Sequence, residues 1–390
     1  MNIAVIGCGR IANIKHFPAL KEIRGVRIKY AVDLIDERAK EAKEKYGCDF
    51  AETDYRVALR DRDIDAVYVL TPNYAHYEIT MAALSAGKHV FCEKPITVDH
   101  PLSREMQALA NEKKLILNIG VCNRFHRSVE LIKKLHDKGE LGELYHIYAS
   151  FRDYRCIPGL GGDFTTKAKS GGGVLIDWGV HFLDLILYVS GAKAKTVSAV
   201  CHSKLGKNIS EYVFKDMWAG PPVADGVNDV EEFVSALVRT DKPSISLNGA
   251  WAQNINKTEM FIDFLGDKGG IRLDYGNKFT LYTVSDGILQ EIKPDYNIPD
   301  MYKAESEAFF DSIETGEKNK GHIDFVIETA KIMDAIYESA NQNAEVRRRP
   351  RRCRQAVRAH CGRMFDAARA KRLHLSQMYE YICKMARCRK

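Results

Sequence analysis

The stretch Met1-Asn2-Ile3-Ala4-Val5-Ile6-Gly7-Cys8-Gly9-Arg10-Ile11-Ala12 decides how the first third of the chain folds. Residues 3–6 are an apolar run that reads as a buried strand. They lead directly into Gly7-Cys8-Gly9-Arg10-Ile11-Ala12, a G-x-G-x-x-A pattern opening a predicted helix to about Ile23. Strand, glycine turn and helix in that order form the dinucleotide-binding fingerprint. Gly7 makes the tight turn, Gly9 lets backbone approach a pyrophosphate, and Ala12 is small enough for close helix–strand packing. The helix start, with Arg10 and Ile11 in it, offers N–H groups to the phosphates.

Working outward, Asp33 ends a second predicted strand (26–32), 21 residues after Ala12. A carboxylate there accepts hydrogen bonds from ribose hydroxyls and repels a 2′-phosphate, so NAD is expected over NADP. The competing role for Asp33 is a cap on the helix beginning near Asp36. Further strands are predicted at 64–70, 89–92 and 115–119, with helices at 36–45, 74–85 and 101–113. Short connections between alternating strands and helices predict a doubly wound parallel sheet. After residue 123 the pattern changes. An amphipathic helix covers 129–135 and an apolar helix 174–189. Strands are expected at 144–153, 196–202, 230–239, 244–253, 260–265, 270–274 and 279–284. Helices at 302–315 and 323–342 close this part. Several strands alternate with period 2, which predicts a second, α+β domain with an open, mainly antiparallel sheet. The expected division is 1–123, 124–346 and a tail of 347–390.

Chemistry-bearing residues collect at three places. Thr71-Pro72-Asn73 and His76 follow the third strand, at the carboxyl edge where such sheets bind ligands. Asn73 and His76 either contact the nicotinamide half or build a turn and cap. Glu93-Lys94-Pro95 follows the fourth strand, and its Lys can stabilise an alkoxide. Gly171-Gly172-Gly173 precedes Asp177, Trp178 and His181. Asp177 and His181 stand at i, i+4 on one helix face, so Asp177 is expected to fix the tautomer of His181. The alternative is a purely structural Asp–His pair. A third ligand at metal-binding spacing is missing, so no metal is expected.

Composition sets the outer limits. The chain has 390 residues with 45% hydrophobic and 28% charged. Its net charge of +6 is misleading. Residues 345–390 hold 12 Arg and 3 Lys against 3 acids, whereas residues 1–344 hold 43 basic and 49 acidic residues. The tail reads as a solvated appendage or an altered-frame product, and otherwise as a nucleic-acid arm. Ten cysteines include no Cys-x-x-Cys pair, which fits reduced thiols in a cytosolic protein. The N-terminus lacks a signal-peptide pattern and no run of 18 apolar residues appears. A cytoplasmic location without membrane or nucleic-acid partners is therefore expected.

Taken together, the Ala4–Ala12 motif, Glu93-Lys94-Pro95, Asn123-Arg124-Phe125, the segment 171–185 and the closing motifs near Phe309 and Tyr337 resemble the Gfo/Idh/MocA oxidoreductases. The likeness covers about residues 1–346. It implies a catalytic Lys94–Asp177–His181 set and a sugar, glycoside or cyclitol substrate. It also implies a homo-oligomer (dimer or tetramer) built through the second sheet. The implied reaction has His181 take a hydroxyl proton as hydride leaves carbon, Asp177 orient His181, and Lys94 stabilise the alkoxide. Tyr154, Arg155, Asp163, Thr165 and Lys167 are candidate substrate contacts. Trp178 is either a sugar-stacking plane or packed core, and Arg124 either pocket floor or an inter-domain salt bridge. Two other functions share the resemblance. One is glycoside cleavage through a transient keto-sugar, and the other is a non-catalytic NAD-binding sensor.

Overall fold

Residues 1–347 are described by the structure, a computed structural model, in which Met1–Arg347 form one compact unit. The predicted arm at 348–390, with its cysteines and arginines, lies outside the described residues.

The first sheet contains β1 (Asn2–Ile6), β2 (Arg27–Val32), β3 (Phe50–Glu52), β4 (Ala66–Val69), β5 (His89–Glu93) and β6 (Leu117–Gly120). All pair in parallel, in the order β3-β2-β1-β4-β5-β6. Val, Ile and Ala runs form these strands because both faces are covered, and residues 66–69 are fully buried. Strand order reverses between β1 and β4, which opens a crevice beyond their carboxyl ends. Gly7, Thr71 and Lys94 follow β1, β4 and β5 at that edge. The short β3 and the helix Tyr55–Arg60 escape the sequence patterns because each spans too few residues to show a period.

The second sheet holds β7 (Leu144–Arg152), β8 (Ala194–His202), β9 (Phe233–Thr240), β10 (Ser244–Ala250), β11 (Glu259–Gly266), β12 (Gly269–Asp274), β13 (Phe279–Ser285), β14 (Ile288–Ile292) and β15 (Val346–Arg347). Its order is β14-β13-β12-β11-β7-β10-β9-β8-β15. Pairing is antiparallel except between β7 and β10. Ile147, Ala149, Phe151, Ile245, Leu247, Ile262 and Phe264 point to a buried face. His146, Tyr148, Phe261 and Asp263 alternate with them on the other face and are half-buried. The hairpin strand β14 was not expected; its Ile288 and Leu289 are exposed, so no burial pattern marks it.

The helix Met301–Thr315 returns to the first sheet, where Phe309 and Phe310 join Ile3, Val5, Tyr68 and Phe91 in one apolar cluster. Tyr68 and Phe91 stack with ring centroids 4.7 Å apart. By length and composition alone the segment 167–190 is apolar enough for a membrane span, although it holds no unbroken apolar run of 18 residues. Most of that stretch is buried within the fold, against the second sheet and its neighbours.

Candidate active site

The cofactor turn is built as its sequence requires. Gly7 adopts φ +98°, and a Cβ there would strike the Leu70 carbonyl at 2.5 Å. Only glycine fits both constraints. Gly9 is different: a Cβ on it would meet nothing within 4 Å, so its small size leaves open space beside the backbone. The Asp33 carboxylate accepts from the N–H of Cys8 and of Ile35, both at 2.9 Å. It ties the turn to β2 and does not cap the helix Asp36–Tyr46, whose N-cap is Ile35 without a side-chain bond. Asn13, not singled out in the sequence, donates to the Cys8 and Gly9 carbonyls at 2.7 and 3.0 Å. Cys8 is packed beneath the turn, and burial together with Asp33 pushes its thiol up to about 12.

Two helices at the site begin with a π turn, Ala12–His16 and Leu175–Gly179. Such turns are rare and cluster at functional sites. His16 in the first is fully buried and lies with Nε2 2.7 Å from Glu93 Oε1. The other Glu93 oxygen accepts the Lys94 N–H at 2.9 Å. Burial works to raise the Glu93 pKa, but His16 and Lys94 outweigh it and hold the carboxyl below its usual range. Glu93 is thus a strut between the cofactor helix and the Lys94 backbone. The Lys94–Pro95 peptide is cis.

Lys94 Nζ donates to Asp177, to its carbonyl at 3.2 Å and to Oδ1 at 3.3 Å. Asp177 Oδ2 is buried without a partner. The i, i+4 spacing predicts a bond between Asp177 and His181, and the structure does not form it. The carboxylate is drawn to the ammonium instead of a neutral imidazole. His181 Nδ1 lies 3.2 Å from Asn123 Nδ2, which also donates to Tyr275 Oη at 2.9 Å. Burial and the Lys94 charge push the His181 pKa down to about 3, although part of the ring still meets solvent. The site therefore pairs one cationic donor with one neutral imidazole.

Residues 1–121 match the oxidoreductase family with an NAD-binding Rossmann fold, and residues 129–272 match the GFO/IDH/MocA C-terminal domain. The D-glucoside 3-dehydrogenase of Escherichia coli (strain K12) is 30% identical over 356 residues, 89% of this chain and 97% of that protein. The chain belongs to the GFO/IDH/MocA oxidoreductase family. The myo-inositol 2-dehydrogenase of Thermotoga maritima is 32% identical over 200 residues, covering 51% of this chain and 58% of that one. Among solved structures, levoglucosan dehydrogenase with NADH and levoglucosan superposes with a TM-score of 0.78 at 23% identity, over 89% of this chain and 98% of the other. At that identity the likeness concerns the fold.

This GFO/IDH/MocA chain is an NAD-binding oxidoreductase. Open space at Gly9 and the uncapped helix start at Ile11 suit a dinucleotide phosphate. The buried Thr71 hydroxyl, without a partner, faces the same need for a hydrogen bond. Arg10 sits at the turn but sends Nη1 to the Trp218 carbonyl at 2.8 Å. Asn73 donates to Ser170 O at 2.8 Å, joining the β4 edge to the segment before Gly171. His76 is fully buried, with its two nitrogens 2.8 Å from the Pro95 and Thr71 carbonyls. It braces the two turns against each other.

Several expected substrate residues have structural partners in this family member. Arg124 is 1% exposed and forms a two-pronged ion pair with Asp184, both bonds 2.7 Å, with its remaining donors on the Lys320 and Phe325 carbonyls. It is a buried clamp. Thr165 is fully buried and binds Gly161 N and Val227 O. Arg155 donates to Asn254, exposed Asp163 pairs with Lys169, and Lys167 reaches over the Tyr337 ring. Tyr154 and Trp178 stay half-buried, Trp178 against the core. Two residues that the sequence reading passed over hold the start of the helix that carries Asp177 and His181. Glu231 accepts from Gly173 N and Leu175 N at 3.0 and 3.1 Å, and Tyr337 Oη donates to it at 2.9 Å. A Cβ on Gly173 would lie 1.7 Å from the Glu231 carbonyl. Fifty-eight positions separate Glu231 from Gly173, and no local pattern marks the contact. Among the described residues, no cluster of three His, Cys, Asp or Glu could hold a metal ion.

Proposed function

We propose that the protein interconverts a secondary hydroxyl and a ketone on a sugar, glycoside or cyclitol, with NAD as hydride carrier. The observation that carries this reading is the meeting of Lys94 and Asp177 at 3.3 Å beside His181, next to the cofactor turn. Bound on that turn, the nicotinamide supplies the hydride-accepting carbon. Lys94 brings a positive charge to the reacting oxygen and stabilises alkoxide character there. Asp177 Oδ1 holds that charge in place. His181 offers its second ring nitrogen to the reacting oxygen. Asp33 takes the adenosine ribose hydroxyls, and exposed Leu34 offers an apolar surface beside it.

The likeness to a D-glucoside 3-dehydrogenase over most of the chain favours glycosides as the first substrate class to test. Tyr154 and Trp178 are the candidates for sugar contact. The experiment is a panel of glucosides, free sugars and inositols with added NAD or NADP, followed by absorbance of the reduced nicotinamide. Reduction of NAD by at least one class supports the reading. Product release from a glycoside without accumulating NADH points to cleavage through a transient keto-sugar. Silence across the panel with proven NAD binding turns the reading towards a sensor.

The division we favour places the cofactor half at 1–123 and the substrate half at 124–346. A homo-oligomer would cover the outer face of the second sheet, where Tyr148, Phe233, Leu237 and Phe261 are half-buried. Light scattering at micromolar concentration tests it, and a monomer removes that proposal. Six unpaired thiols among the described residues suit a reducing cytoplasm.

A further inference from the structure

We infer that Asn123 is a positioning residue that holds His181 in the Nε2–H tautomer, making His181 a hydrogen-bond donor to the reacting oxygen and leaving proton transfer to Lys94. The inference deepens the dehydrogenase reading and rests on it for the identity of that oxygen. Its first half, the tautomer, stands on this chain alone.

Asn123 lies in the short turn Cys122–Phe125 that follows β6, and it is 6% exposed. Its amide nitrogen carries two hydrogens. One points to His181 Nδ1 at 3.2 Å and the other to Tyr275 Oη at 2.9 Å. A ring nitrogen that accepts carries no proton. A neutral imidazole must then carry its single proton on Nε2. The ring is neutral because burial and the neighbouring Lys94 ammonium both oppose its charging. Nε2 has no partner among the described residues, so it is the nitrogen left for a ligand.

The turn is held in place beside His181. The next residue, Arg124, grips Asp184 with two 2.7 Å bonds, and Asp184 sits three positions beyond His181 on the helix Val180–Ser190. Thr329 Oγ1 also donates to Asp184, at 3.1 Å. Tyr275 is fixed from the other side by stacking on Phe182 at 4.6 Å. Turn, helix and Tyr275 thus meet His181 in one arrangement. The reversed amide would accept from Nδ1–H and Tyr275 O–H, exposing a bare Nε2. A general base needs that reversed arrangement.

A neutral ring with its proton on Nε2 cannot take a second proton there. It can polarise a carbonyl, as a neutral imidazole electrophile does. The reaction then balances through Lys94. In reduction the Lys94 ammonium, held by Asp177, would give its proton to the substrate oxygen while bound nicotinamide would supply hydride to the carbon. The Lys94 amine left behind would regain its proton from water. Oxidation would run the same steps backwards.

The test is two-bond ¹H–¹⁵N correlation on cofactor-free protein labelled at histidine nitrogen, with the His181 signals identified by their loss in His181→Phe. The expected wild-type pattern is that of Nε2–H. A wild-type Nδ1–H pattern overturns the proposal, whatever the variants do. Asn123→Asp should convert His181 to Nδ1–H, because a carboxylate only accepts, and should lower kcat at least about tenfold while NAD affinity stays within about twofold. An unchanged His181 pattern in folded Asn123→Asp also overturns it. The spectrum needs no substrate, so an Nε2–H pattern with no turnover on any sugar fails the functional reading and leaves the tautomer intact.

Discussion

Lys94 and Asp177 are 83 positions apart in the chain, yet Nζ lies 3.3 Å from Oδ1 and 3.2 Å from the Asp177 carbonyl. Their side chains are only 21% and 13% exposed, so water and salt screen the pair weakly. One side chain comes from the turn after β5 and the other from the π turn Leu175–Gly179. The pair joins the cofactor crevice to the helix that carries His181. Asp177 therefore governs Lys94 and leaves His181 to Asn123.

Asp177→Asn keeps the shape and removes the counter-charge. The ammonium then loses its nearest stabilising partner, and its placement loosens. The expected result is a fall in kcat of about 10² with NAD affinity little changed, by steady-state kinetics and fluorescence titration. An unaltered kcat would remove Asp177 from the machinery.

Asp33→Ser should act on both cofactor and turn. The carboxylate holds the N–H groups of Cys8 and Ile35, and the hydroxyl of Ser reaches one of them at most. NAD binding is expected to weaken about tenfold, the preference over NADP to narrow, and stability to fall by about 1–2 kcal/mol. Calorimetric titration with each dinucleotide and a urea melt check the two effects separately. Equal affinities before and after substitution would show that Asp33 only braces the turn.

Arg124→Met should be among the most damaging single changes away from the reacting groups. It leaves Asp184 buried without its cation, which costs about 3–5 kcal/mol. Arg124→Met with Asp184→Leu removes both charges and should regain much of that loss. Urea midpoints of the two variants test this. Similar midpoints for the single and double variants would contradict the clamp.

Acid should destabilise the protein through buried imidazoles. His322 is 1% exposed and caps the helix Ile323–Gln342 by accepting from Asp324 N. Burial lowers its pKa from 6.5 to about 4, Asp324 opposing and Lys318 assisting. The unfolded chain takes up the proton first, so stability is complete above pH 6.5 and falls as pH drops through 4. The contribution is roughly 3 kcal/mol. His322→Asn keeps a capping group and removes the titration, so its stability should fall less steeply across that window. Urea unfolding at half-unit steps of pH measures the slope. Identical slopes would assign the acid sensitivity elsewhere.

Ending the chain after Arg347 should leave the fold and turnover intact. β15 still pairs with β8, through Val346 opposite Val197 and Arg347 opposite Thr196. Salt-sensitive retention on nucleic acid, if the full chain displays it, should vanish on truncation. A truncated protein that loses turnover would tie residues 348–390 to the enzyme.

The main elements were legible because their signals are local. Parallel strands buried on both faces read as apolar runs, and strands such as β9, β10 and β12 alternate with period 2 because one face is covered. The helix Ile323–Gln342 was read at its observed bounds. β14 was not legible, since neither of its faces is buried. At the site, Gly7, Gly9 and Asp33 were readable as a unit, for each acts on its own turn. Lys94, Asp177 and His181 were read as a group with Asp177 holding His181, whereas Asp177 meets Lys94 and His181 meets Asn123. Spacing along one helix says which side chains can meet, and says nothing of a charge arriving from another strand.

The sequence by itself determined the class of protein. A strand, a glycine turn and a helix start create a dinucleotide site from contiguous residues, because backbone N–H groups and the absence of side chains do the binding. Only the tertiary structure decided who holds whom. Asn123 meets His181, Glu231 holds the start of the catalytic helix, Arg124 turns inward to Asp184, and His76 becomes a brace. Each depends on two elements packing in one register, where charge, burial and hydrogen-bond supply are settled together.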